Sequence, residues 1–147
     1  MYQLIDTVSI SRCTARDLFF INHAVQSAQQ SDFHSSLKLG ACIVVDRKKF
    51  YGGYNQKRRA RIMRTSYFSV HAEIHALHNY TKRMAKQRCG TTIYVVRLLR
   101  DTTQFLYGNS KPCERCQEYL YRHCVEYIKY TDIVAGTQVI VTMRHQA

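Results

Sequence analysis

Apolar side chains recur at helical spacing over residues 15–30. Leu18, Ile21, Val25 and Ala28 fall on one face, and Thr14 stands ahead of them as an N-cap. The polar stretch Gln29 to Ser36 ends that helix. Gly40-Ala41-Cys42-Ile43-Val44-Val45-Asp46 is a short apolar run with the length and composition of a buried strand. Asp46 to Lys49 reads as a hairpin turn and Phe50 to Tyr54 as a second strand. Residues 56–68 show no period and are predicted as a loop. Ile74, Leu77 and Met84 form the inner stripe of a second helix over residues 71–87. Thr92 to Leu99 is an apolar strand. Arg100 to Lys111 is a polar loop containing Gly108-Asn109-Ser110. A third helix starts at Pro112 or Cys113 and runs to Cys124, and two strands follow, Val125 to Tyr130 and Gln138 to Met143.

That order of elements predicts the α/β class, with one mixed five-stranded sheet between helices as a three-layer α/β/α sandwich. Only Thr131 to Thr137 joins the last two strands, whereas a parallel pair needs a crossover of about a dozen residues or more. The chain is therefore expected to close in an antiparallel hairpin. No repeat, low-complexity segment or linker interrupts it, and its 147 residues are expected to form a single domain, 1–147.

The composition narrows the class. No apolar run approaches the roughly 18 residues that span a bilayer, so no membrane association is expected. The start, Met1-Tyr2-Gln3-Leu4-Ile5-Asp6, lacks the basic and apolar regions of a signal peptide. Both features predict a cytoplasmic protein with reduced cysteines. Of the six cysteines only Cys113 and Cys116 have metal-ligand spacing; the others read as small buried hydrophobes. A net charge of +12 favours a polyanionic partner: a nucleotide, nucleic acid or an acidic surface. The excess is concentrated. From Arg47 to Arg100 fourteen Lys and Arg residues accompany one acid, Glu73.

Glu73 lies in His71-Ala72-Glu73, and the only proline opens Pro112-Cys113-Glu114-Arg115-Cys116. His-x-Glu followed by Pro-Cys-x-x-Cys is the signature of zinc-dependent nucleobase deaminases. Two thiolates and one imidazole supply three zinc ligands and leave a fourth position for water. Cys113 and Cys116, three apart in the first turn of a helix, can point at one metal, and the positive end of that helix stabilises thiolates. His71 falls at the start of the other helix. A rival set exists, because His71, His75 and His78 share one helical face. His71 and His75 with Cys113 and Cys116 would make a closed structural site, which leaves Glu73 without a role.

These two motifs resemble those of the cytidine/deoxycytidylate deaminase superfamily. Gly40-Ala41-Cys42-Ile43-Val44-Val45 and Gly53-Tyr54-Asn55 are similar to that family's first strand and sugar-contacting asparagine, so the resemblance covers residues 12–143. A histidine as first ligand is similar to the deoxycytidylate, tRNA adenosine and APOBEC-type branches. The terminal hairpin is similar to free cytidine deaminases. The gap between motifs, 112 − 73 = 39 positions, is long. The resemblance implies Zn2+ held by His71, Cys113 and Cys116, with Glu73 as the catalytic proton shuttle for hydrolysis at C4 of cytosine, or C6 of adenine. It also implies that the Ala72 backbone N–H holds the base carbonyl and Asn55 a sugar hydroxyl.

The basic loop between Asn55 and His71 carries Arg58, Arg59 and Arg61, which are expected to grip a substrate phosphate. Tyr67 and Phe68 are candidates for stacking on the base. The expected function is deamination of cytosine in a free nucleoside or nucleotide by a homo-oligomer. The alternatives are deamination within single-stranded DNA or RNA, and a non-catalytic zinc or nucleic-acid-binding module on the same fold.

Overall fold

The protein is described from a computed structural model covering residues 1–46, 48–57, 70–84, 90–99 and 107–146. Arg58, Arg59 and Arg61, like Tyr67 and Phe68, lie outside these residues. The elements in order are β1 (Tyr2–Ser9), α1 (Ala15–Ala28), β2 (Lys38–Val44), β3 (Phe50–Tyr54), α2 (Ala72–Arg83), β4 (Thr91–Leu98), α3 (Glu114–Arg122), β5 (Val125–Val134) and β6 (Thr137–His145). The strands form one sheet in the order β1-β6-β5-β4-β2-β3. The β4–β5 pair is parallel, with α3 in its crossover, and the other four pairs are antiparallel.

Six strands stand where the hydrophobic pattern predicts five. The additional one is β1, whose Leu4 and Ile5 are exposed. It carries no apolar alternation because backbone bonding to β6 holds it, with a register shift between Leu4 and Asp6. The closing hairpin is antiparallel as expected but longer, since Thr131 to Val134 pair with Thr137 to Ile140 instead of forming a loop. Its tip is Ala135-Gly136, both left-handed at φ 50° and 78°. Positive φ at both central residues matches the twist of a two-residue hairpin.

Helix α1 starts as its sequence dictates: the Thr14 hydroxyl accepts from the Asp17 N–H at 3.1 Å, and Asp17 faces the positive end of the helix. Its buried stripe is Phe20, Ile21, Ala24, Val25 and Ala28. Leu18, expected in the core, is exposed. Four residues before Ile21 on that stripe stands Asp17, which accepts from the Tyr94 hydroxyl at 2.6 Å and from Lys129 at 2.9 Å.

Two cores flank the sheet. Helix α1 covers one face with Cys42, Val44, Tyr94 and Val96, while α2 and α3 cover the other with Ala41, Ile43, Ile93, Val95 and Ile128. Glycine permits the close approach on each side. A Cβ on Gly40 would strike the Ala24 carbonyl of α1, and one on Gly53 the Ala76 N–H of α2. Helices α2 and α3 pack on the same face of the sheet and touch each other. No helix among the described residues is long and apolar enough to cross a membrane.

Candidate active site

His71 and Cys113 occupy the N-cap positions of α2 and α3, with extended backbones at φ/ψ −75°/150° and −65°/161°. An extended cap turns its side chain away from the helix axis, so the two caps can face each other. His71 is delivered by a backbone bridge in which Gln56 and Val70 exchange N–H···O bonds of 3.0 and 2.9 Å. Cys116, one turn into α3, is buried against Val70 and Ile74. The His71 Nδ1 lies 3.2 Å from the Cys116 Sγ and 3.8 Å from the Cys113 Sγ. All three donor atoms lie within 4.8 Å of one another. Ligands at zinc's usual bond lengths of 2.0–2.3 Å in a tetrahedron stand about 3.5 Å apart. Donor type and spacing both fit this metal, and His71, Cys113 and Cys116 are positioned to bind it.

Thiol chemistry in the cluster is asymmetric. Donation from Cys116 brings Cys113 down to about 5, and that same bond together with burial raises Cys116. One sulfur is thus already disposed to be a thiolate. Glu73 is only 4% exposed. Burial raises its carboxyl, against the opposing pull of a hydrogen bond from Cys116 and the charge of His71. It lies beside the metal cluster without belonging to it.

His75 settles the rival ligand set. Its Nδ1 accepts from the Tyr54 backbone N–H at 3.1 Å and lies 3.1 Å from the Gln56 Nε2. Its ring meets Tyr54 edge-on. Its Nδ1 is engaged at the end of β3, and His75 is not among the donors that converge with His71, Cys113 and Cys116.

A cavity of about 330 Å³ opens over these groups, lined by His71, Ala72, Glu73, Cys113, Asn55 and Lys111, with Phe33, Leu37 and Leu39 as its apolar wall. Ala72 opens α2, so its N–H is one of the donors with no intrahelical acceptor. Asn55 is buried, and its amide already holds the chain: Oδ1 accepts from the Leu39 N–H at 2.9 Å and Nδ2 donates to the Leu37 carbonyl at 2.7 Å. The sequence pattern did not single out Phe33, Leu37, Leu39 or Lys111. Only Lys111, adjoining Pro112-Cys113, carried a positional hint.

Comparison with known proteins agrees with this geometry. The profile of the family described as the cytidine and deoxycytidylate deaminase zinc-binding region matches residues 14–132. No curated protein sequence matches significantly. Among solved structures, the dCMP deaminase of cyanophage S-TIM5 in apo form is 17% identical, with a TM-score of 0.57 over 84% of this chain and 89% of that one. The cytidine deaminase of Burkholderia pseudomallei is 20% identical, with a TM-score of 0.55 over 86% and 91%. A variant cytidine deaminase of Mycobacterium tuberculosis is 17% identical, with a TM-score of 0.54 over 82% and 87%. At such identities these likenesses speak for the fold.

Proposed function

Because the chain belongs to the cytidine and deoxycytidylate deaminase family, we propose that it hydrolyses cytosine to uracil in a free nucleoside or nucleotide. The observation that carries this reading is Glu73, buried in the same cavity as the three-donor cluster yet outside it. A structural zinc site has no use for such a carboxylate. Zinc, when bound, lowers the pKa of its water toward about 7.

The chain's own residues do the rest. Glu73 takes a proton from the attacking water, delivers it to the ring nitrogen N3, and later assists protonation of the departing amine. Its raised affinity for protons, caused by burial, suits both steps. The C4–N bond breaks, a C4–O bond forms, and ammonia leaves. The Ala72 N–H holds the base carbonyl, and Phe33, Leu37 and Leu39 offer the base an apolar wall. Asn55 keeps a second lone pair and a second amide proton for a sugar hydroxyl. Arg58, Arg59 and Arg61 are proposed phosphate contacts because they lie between Asn55 and His71 in the chain.

Residues 1–147 are read as one domain, supported by a sheet that runs from Tyr2 to His145. Exposed Leu4, Ile5 and Phe19 support a homo-oligomer. Cys13 and Cys42, which stand as thiols, support a cytoplasmic setting.

Ammonia release from cytidine, deoxycytidine and their 5′-monophosphates, with Glu73→Gln as control, tests the reading. Wild type should turn over at least one of them. Glu73→Gln should keep fold and zinc with no turnover. The concentrated positive charge favours a second reading, action on single-stranded nucleic acid. That reading requires tight polymer binding whose log–log salt slope approaches −0.7 per phosphate contacted.

A further inference from the structure

We propose that His75 is a positioning residue that fixes Asn55 relative to the base-binding end of α2, and so sets how strongly the site selects a substrate with sugar hydroxyls. The inference rests on the deaminase reading of the same cavity, in which Asn55 meets the sugar and the Ala72 N–H the base. His75 itself is not among the residues lining that cavity.

Strand β3 is an edge of the sheet, and among the described residues no strand lies beyond it. Its bonds to the β2 side run through Lys49, whose carbonyl accepts from the Val45 N–H at 2.9 Å, and Asn55, whose N–H donates to the Leu39 carbonyl at 3.1 Å. Backbone direction alternates along an antiparallel strand, so Gly52 and Tyr54 turn theirs to the open edge. Helix α2 meets both. The Asn79 amide donates to the Gly52 carbonyl at 2.8 Å, and the Tyr54 N–H donates to the His75 Nδ1 at 3.1 Å. His75 and Asn79 stand one turn apart on one helical face, so side chains take the place of a further strand.

His75 does more than cover an edge. A backbone N–H can only donate, so Nδ1 is an acceptor and the ring proton sits on Nε2. The Nε2 of buried Gln56 lies 3.1 Å from that same Nδ1. One ring atom thus meets the residue on either side of Asn55. The Asn55 amide ties it to Leu37 and Leu39 on the β2 side. His75 ties it instead to the helix that opens with His71, Ala72 and Glu73, and the His75 N–H donates to the His71 carbonyl at 3.0 Å. The spacing between sugar contact and base contact therefore depends on one imidazole. Without it the Tyr54 N–H loses its partner, and the end of β3 is free to move off α2.

The test compares cytidine and deoxycytidine with 2′,3′-dideoxycytidine on the zinc-loaded protein, each as nucleoside and as 5′-monophosphate. Wild type should prefer a hydroxylated sugar. His75→Ala should keep its zinc, raise KM for the hydroxylated substrate about tenfold through the loss of one well-placed hydrogen bond, and narrow the preference over the dideoxy compound. His75→Asn carries a carboxamide oxygen the same number of bonds from Cβ as Nδ1, and should restore most of the preference. Equal losses on both kinds of substrate, an unchanged ratio, or no restoration by His75→Asn overturn the proposal and leave the deaminase reading standing. Should His75→Ala fail to fold, Gln56→Met removes one of the two donors and keeps the backbone bridge to Val70. It should narrow the preference in the same direction, and an unchanged preference overturns the proposal. If no compound is deaminated, the deaminase reading falls, and calorimetric titration with the same compounds decides this one. A preference for the hydroxylated sugar that His75→Ala narrows upholds it. Equal affinities, or no binding, overturn it.

Discussion

Ser110 and Thr131, both fully buried, lock the loop ahead of the metal ligands to the centre of the sheet. The Ser110 N–H donates to the Thr131 carbonyl at 2.9 Å, and the Thr131 N–H donates to the Ser110 hydroxyl, also at 2.9 Å. The Thr131 hydroxyl donates to the Gly108 carbonyl at 3.0 Å. The lock holds residues 108–110 against β5, two positions before Pro112 and three before Cys113. Thr131→Val leaves the Gly108 carbonyl unpartnered, which costs about 1–3 kcal/mol. Ser110→Ala should cost a similar amount. Both variants should also release zinc to a chelator faster than wild type, because Cys113 is then less firmly aimed. Denaturant melts and a chelator competition check the two effects separately.

Metal content gives a sharper outcome. Cys113→Ser and Cys116→Ser should each lose the single zinc expected per chain, since a hydroxyl is a poor substitute for a thiolate. Cys116→Ser should also destabilise the fold more, because Cys116 is buried against Val70 and Ile74 while Cys113 is exposed. Elemental analysis and thermal melts of the purified variants measure both.

His75 should tie stability to pH without touching the metal. Burial, with the nearby His78, holds its pKa below the ordinary histidine value. The unfolded chain then takes up a proton first as the pH falls. The contribution is fully present above about 6.5, the unfolded value, and is lost as the pH drops from there through the folded value. His75→Gln should keep zinc and flatten this acid-side loss relative to wild type. Unfolding curves at pH 8, 6 and 5 on both proteins give the difference.

Gly53→Ala should move α2 as a body. The added methyl meets the Ala76 N–H and the Ala72 carbonyl, both backbone atoms that cannot turn aside. Overpacking of this kind costs about 1–3 kcal/mol. Ala72 stands between His71 and Glu73, so turnover should fall more steeply than stability suggests. Parallel melts and rate measurements reveal that disproportion.

The metal donors, the helix order and the closing hairpin were legible in the chain because each depends on spacing within a short segment. A cysteine pair in one helical turn converges wherever that helix goes, and a connection as short as Thr131 to Thr137 cannot make a parallel crossover. What tertiary structure decided depends on partners far away in sequence. Strand β1 exists through its ladder with β6, while the side chains from Gln3 to Thr7 face solvent and leave no pattern. His75 shares a helical face with His71, and only the arrival of Tyr54 and Gln56 takes its ring away from the metal. Asn55 reads as a polar residue ending a strand, but folding spends its amide on Leu37 and Leu39. The cavity wall of Phe33, Leu37 and Leu39 comes from a segment whose polar neighbours masked it. Local geometry follows from covalent spacing and backbone preference; which of two competing partners a polar group meets is settled only when the layers close.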